Sequence, residues 1–261
     1  MLTKVPDSLL KKIAIGEEEI ILNGPPSQLM GRVNLQNKND ATARVKYLDL
    51  QATKSKETKS LTNTPLYINS KLRAGETKLE QITLALASDT APGTYENFIN
   101  IGGKQQKVKM VVQPTIAISL NPTHFTFQGT EPGTKHTATF TVTNTGNMPF
   151  QIPTVSHVAP LDMDMLCRAF GFGFRNDKEE GFTETMDHVT RNLKENMPNW
   201  ANSKVEQAGE ILEPSKSMLV TIVITIPKNA KPETDYDLAV RFWDEQLSCV
   251  FKSHITNQKT S

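Results

Sequence analysis

Two stretches of this chain repeat one another in kind and order, and that repetition limits the fold more than any other feature. In the first, residues 31–40 alternate Val33 and Leu35 and then turn polar through Asn37, Asn39 and Asp40. In the second, residues 137–147 alternate Phe140 and Val142 and turn at Asn144, Gly146 and Asn147. Alternation with period two marks a half-buried strand, and Asn and Gly tolerate the positive φ of a tight turn. Further extended segments follow at 43–50 and 150–155.

The later parts of the two copies match more closely. Leu72 and Gly75 precede Leu79, Ile82, Leu84 and Leu86, and then Ala91, Pro92 and Tyr95. Leu212 and Ser215 precede Leu219, Ile222, Ile224 and Ile226, and then Lys231, Pro232 and Tyr236. Each copy thus has a polar turn, a strand, a proline-bearing corner and a tyrosine opening the next strand. In sandwiches such a tyrosine packs its ring inward and spends its hydroxyl on the corner backbone. Strands are expected over 95–101 and 107–112, and over 236–243 and 247–255, with Gly102-Gly103 and Asp244-Glu245 as hairpin turns.

Short alternating strands with turn signals between them predict an all-β chain of two tandem immunoglobulin-like antiparallel sandwiches. The join is placed near Gln113-Pro114, giving domains at 1–114 and 115–261. A length of 261 residues suits two domains of ordinary size.

The copies differ in one respect. Between His157 and Glu210 the second is longer by about one helical hairpin, an insertion at about 158–209. A helix is expected over 183–195, with Met186, Val189, Leu193 and Met197 as its apolar stripe and Thr183 as its N-cap. Pro198 ends it. A shorter helix is expected over 162–170, capped by Asp162.

The segment 121–133, followed by FTVTNTGNMP at 140–149, resembles the hydin-like (ASH-type) and bacterial NPCBM-associated immunoglobulin-like modules. Residues 91–95 and 99–103 are similar to bacterial surface sandwich repeats of the same group. The resemblance covers both sandwiches and not the insertion. It implies a structural, adhesive or scaffolding role without catalytic residues, and it leans towards a periplasmic or extracellular setting. The first copy lacks the Thr-Gly-Asn of the pattern at residues 37–40.

The charge balance works against polyanionic partners: Lys+Arg is 29 and Asp+Glu 28, so no net field steers nucleic acid. No apolar run reaches the length of a membrane span, and residues 1–15 carry Lys4, Lys11 and Lys12 in place of the apolar core of a signal peptide. Peripheral membrane association stays open. Cys167 and Cys249 are read as two unpaired, partly buried thiols.

Chemistry was sought and no centre emerges. There is no Gly-x-Ser-x-Gly elbow, and no motif ties Cys167 to a histidine. The glycines at 171 and 173 lack the Lys-Ser/Thr of a phosphate loop. His157, Asp162 and Asp164, or Asp235 and Asp237, are conceivable cation ligands, but a cap and solvated acids explain them better. No catalytic residue, metal or cofactor is assigned.

One cluster stands out. Phe170, Phe172 and Phe174 alternate with glycine, flanked by Arg168 and Arg175, and Trp200 follows the second helix. If extended, the three rings share one side. Either they are anchors for a protein partner in a larger assembly, or they fasten the insertion onto the second sandwich. A glycan platform built from Trp200, Tyr236 and Trp243 is the alternative function, followed by an accessory domain of an enzyme complex.

Overall fold

The computed structural model describes residues 12–16, 18–51, 64–176 and 181–253; for Asp164, Phe172, Gly173, Arg175 and Asn176 it describes the backbone alone. The chain divides into two compact units, Met1–Ala117 with Thr145–Pro149, and Ile118–Asn144 with Phe150–Ser261. Both are built mainly from antiparallel ladders, with one parallel pair in each.

In the first unit the strands are β1 (Ile13–Ile15), β2 (Glu19–Gly24), β3 (Leu29–Asn37), β4 (Ala43–Asp49), β5 (Pro65–Leu72), β6 (Thr77–Leu84), β7 (Gly93–Ile101) and β8 (Lys104–Val112). They hydrogen-bond in the order β4-β5-β6-β3-β2-β8-β7, with β1 also on β3. The path curls back on itself, because a bridge from Leu50 to Ile99 joins the end of β4 to β7. Inside lie Leu22, Val33, Leu35, Val45, Leu66, Leu72, Ile82, Ile99 and Val108, all buried.

The second unit contains β9 (Ile118–Asn121), β10 (His124–Gln128), β11 (Lys135–Asn144), β12 (Phe150–Gln151), β13 (His157–Val158), β14 (Pro160–Leu161), β15 (Ala201–Val205), β16 (Ile211–Leu212), β17 (Ser217–Thr225), β18 (Tyr236–Phe242) and β19 (Glu245–Lys252). One sheet runs β13-β15-β17-β11-β9 and the other β10-β19-β18-β14. With the first strand split between the sheets as β9 and β10, the sheets of five and four strands form an immunoglobulin-like sandwich. In both units the second half of that split strand runs parallel to the last strand, β2 beside β8 and β10 beside β19. Phe140, Val142, Ile222, Ile224, Val240, Phe242 and Phe251 fill the core, and Phe140 meets Phe242 edge to face at 5.5 Å.

The duplication extends to single side chains. Asn37 and Asn144 end equivalent strands, and each is fully buried. Asn37 Nδ2 donates to the carbonyls of Ala41, Leu72 and Arg73; Asn144 Nδ2 donates to the carbonyl of Leu212 at 2.8 Å. The turn each one secures holds a residue at positive φ, Gly75 at +73° and Ser215 at +60°. The amide side chain supplies backbone carbonyls that no strand can reach.

Both tyrosine corners form. The hydroxyl of Tyr95 donates to the Ala91 carbonyl at 2.7 Å. That of Tyr236, whose ring is buried, accepts from the Lys231 amide at 2.7 Å. The FTVTNTGN signature also acquires a physical meaning within the first unit. A side chain at Gly146 would sit 2.3 Å from the Thr115 carbonyl oxygen. Asn147 accepts from the Thr115 amide at 2.7 Å and donates to the carbonyls of Thr90 and Gln113, both at 3.0 Å.

Several expectations need correction. Leu79 and Leu219 point outward, 54% and 63% exposed, because the step of three to Ile82 and Ile222 reverses the face on a period-two strand. The last hairpin turns at Trp243-Asp244, one residue earlier than expected, with Trp243 at φ +62°. The extended segment from 150 is a strand only at Phe150–Gln151. The thiols do not share an environment: Cys249 is buried and Cys167 exposed, and both are free.

Candidate functional site

The insertion is a pair of helices, α1 (Met163–Asn176) and α2 (Phe182–Asn196). It leaves the sandwich after β14 and returns at β15, so 160–161 and 201–205 are sheet. Asp162 caps α1 as expected, its Oδ1 accepting from the Met165 amide at 2.8 Å. The helix continues past residue 170 to Asn176 despite Gly171 and Gly173. At α2 the cap differs from expectation. Gly181 occupies that position in extended conformation and makes no side-chain bond. Thr183 lies inside the first turn, while Thr185 donates its hydroxyl to the Gly181 carbonyl at 3.2 Å. The helix stops at Met197, ahead of Pro198, and Glu184 and Lys194 occupy the ends that suit the helix dipole.

The helices pack on each other through a thin seam. Ala169, Thr185 and Val189 are buried, and none belongs to the core of the sandwich. The idea that the phenylalanines fasten the insertion to the sandwich therefore fails for the described rings: Phe170 is 37% exposed, Phe174 62% and Trp200 67%.

Helix formation also overturns the extended reading of the three rings. A residue two positions on in a helix falls on another face, whereas i and i+4 share one. Phe170 and Phe174 accordingly stack, with centroids 6.5 Å apart, and position 172 lies elsewhere on the circumference. Arg168 is exposed on α1; the side chains of Phe172 and Arg175 lie outside the described set.

Sequence reasoning missed Met163, 47% exposed, Cys167, exposed, and Phe182, 75% exposed. Met163, Cys167, Phe170 and Phe174 form one apolar stripe along α1 at spacings of four, three and four. That spacing was present in the sequence, but the alternation of Phe with Gly masked it.

A cleft of ≈ 710 Å³ opens at the foot of α1, lined by Asp162, Met163, Arg168, Lys231, Glu233 and Asp237 among others. Asp235, at its edge, is already engaged by Lys252 at 2.9 Å and by the Ser253 amide at 2.7 Å. Burial alone would raise the pKa of this carboxyl, but the ammonium and amide outweigh it and hold it below the ordinary value. Asp162 is spent as a cap. Among the described residues no group of three His, Cys, Asp or Glu is placed to hold a metal. No described helix is long and apolar enough to cross a membrane.

For the glycan platform, Tyr236 is buried and spent on its corner. Trp243 sits at the hairpin following β18, while Trp200 precedes β15 beside the β13–β14 end of the sheets. The start of β18 pairs with Pro160 and Leu161. The two indoles thus belong to separate connections, one before β15 and one after β18.

No protein-family profile matches the sequence, and no curated protein does. Solved structures align with the chain at low identity and low TM-score. An uncharacterised protein from Porphyromonas gingivalis W83 is 10% identical, with 92% of this chain and 99% of that one covered and a TM-score of 0.26. The ASH / PapD-like domain 7 of human CEP192 is 14% identical over 55% of this chain and 92% of that one, with a TM-score of 0.28. Domains 4 and 5 of the S-layer protein SbsC are 14% identical over 79% and 99%, with a TM-score of 0.27. At these levels of similarity they carry no argument about function.

Proposed function

We propose that this chain is a non-enzymatic structural or interaction subunit of a larger assembly, possessing two sandwiches as a frame and the α1–α2 hairpin as its contact element. The observation that supports this reading is the exposed apolar stripe of α1. Single exposed hydrophobic residues are ordinary, but four in register along one helix form the anchor pattern by which amphipathic helices enter grooves. Among the described residues, no buried side chain of the two helices belongs to the sandwich core, which supports a role for the hairpin outside it. A cell-envelope or membrane-associated setting belongs to the same proposal and rests on the resemblance of the FTVTNTGN segment alone. The glycan reading is weaker because one of its rings, Tyr236, is buried.

The test is a tagged chain expressed in its natural host with residues 163–199 replaced by a short Gly/Ser linker. The complexes formed by it and by the intact chain are then sized on native gels. Loss of the larger species from a folded deletion protein is the expected result. Assembly unchanged by the deletion would remove the hairpin from the account.

A further inference from the structure

Resting on that reading of the hairpin as the contact element, we infer that α1 pairs with α1 of a second copy of this chain. The stripe Met163, Cys167, Phe170 and Phe174 has the spacing four, three, four, which reads identically from either end. A two-fold axis passing between Arg168 and Ala169 therefore maps the stripe onto itself. Two antiparallel α1 helices then set Met163 opposite Phe174 of the second copy, and Cys167 opposite its Phe170. The inner pairs match a small side chain with a large one, as interdigitating helices require. This is an isologous contact, the self-complementary kind on which two-fold dimers are built.

Three further observations favour a second copy. No charged residue falls on the stripe, so self-pairing buries no charge. The net charge of the chain is +1, so two copies repel each other little. Beside the stripe, a side chain built at Gly171 would meet nothing within 4 Å, leaving the flank open to a neighbouring helix. A membrane surface fits less well. Interfacial helices carry Lys and Arg along the polar face, and α1 has only Arg168 and Arg175.

Magnitude sets the strength of the contact. With ~200 Å² per large side chain, the exposed fractions of Met163, Phe170 and Phe174 offer on the order of 300 Å² per copy. Two copies bury about 600 Å², little more than a third of a standard interface of about 1,600 Å². The dimer is therefore weak and concentration-dependent.

Sedimentation equilibrium of the full chain from about 10 to about 500 μM tests this, in the range where so small an interface associates. The mass rises from 29.0 kDa towards twice that value. The double variant Phe170→Glu/Phe174→Glu stays monomeric with an unchanged melting temperature. Ile211→Glu, a substitution at an exposed site on β16, associates like the parent. A bis-maleimide spanning about 10 Å, the separation of packed helix axes, joins Cys167 to Cys167 in the parent only. A mass fixed at the monomer throughout would overturn the inference, as would dimers that survive the double variant. So would a monomer that instead binds phosphatidylcholine/phosphatidylserine vesicles through the same two rings. A monomeric chain whose hairpin deletion still abolishes native assembly removes the self-pairing and leaves the proposed function standing. Unchanged native assembly with a confirmed dimer does the reverse.

Discussion

Asn37 and Asn144 perform one task in two sandwiches, and each leaves a buried carbonyl without a donor if truncated. Asn144→Ala is expected to destabilise the second unit by about 1–3 kcal/mol, the cost of an orphaned buried polar group. Asn37→Ala, which removes the three bonds that Nδ2 donates and the two that Oδ1 accepts from Asn39, should cost at least as much in the first. Calorimetry that finds both variants unchanged would contradict this. Ser215 occupies the positive φ that Gly75 occupies in the other copy, so Ser215→Gly should stabilise by up to ~1 kcal/mol. These roles were half legible. The repeated Asn marked the turn, but only the structure shows which carbonyls it supplies.

His136 adds a pH dependence. It packs between Phe127 and Phe251 and donates Nε2–H to the Gly129 carbonyl at 2.9 Å. Burial lowers its proton affinity below the usual 6.5, against the opposing pull of that carbonyl and of Glu131. The fold thus favours the neutral ring. Its contribution is fully present above pH 6.5 and is lost as pH falls from there through the lower folded value. Denaturation midpoints should decline over that window in the parent and stay flatter in His136→Gln. The thiols divide as sharply. Burial pushes Cys249 up to about 11, so a thiol reagent at pH 8 should label only Cys167 until the protein unfolds.

At the scale of elements, strands were easier to read than helices. Alternation identifies a half-buried strand directly, and the corner tyrosines fixed where each copy turns. The two glycines of α1 concealed its extension past residue 170, since Gly costs about 1 kcal/mol in a helix interior. Once the helix forms, its period regroups the rings, and the relevant set becomes Met163, Cys167, Phe170 and Phe174. Gly171→Ala should strengthen α1 by up to ~1 kcal/mol, because the added methyl meets open space. Slower amide exchange along α1, with β11 and β17 unaffected, is the expected readout. Exchange unchanged in α1 would mean that the helix is limited by something other than its glycines.

For the whole molecule, equivalent strand pairings recur in both units, and among the described residues the second alone carries a helical addition. Val158 pairs with Ala201 across the base of the hairpin, so the sandwich closes without it. On the proposed function, the hairpin is dispensable for the fold and responsible for association. Replacing residues 163–199 with a short Gly/Ser linker and following melting and sedimentation together separates these two roles. The expected result is the loss of helical circular dichroism, a melting temperature for the sandwiches within a few degrees of the parent, and a monomer at every concentration. A deletion protein that fails to fold, or one that still associates as the parent does, would contradict it.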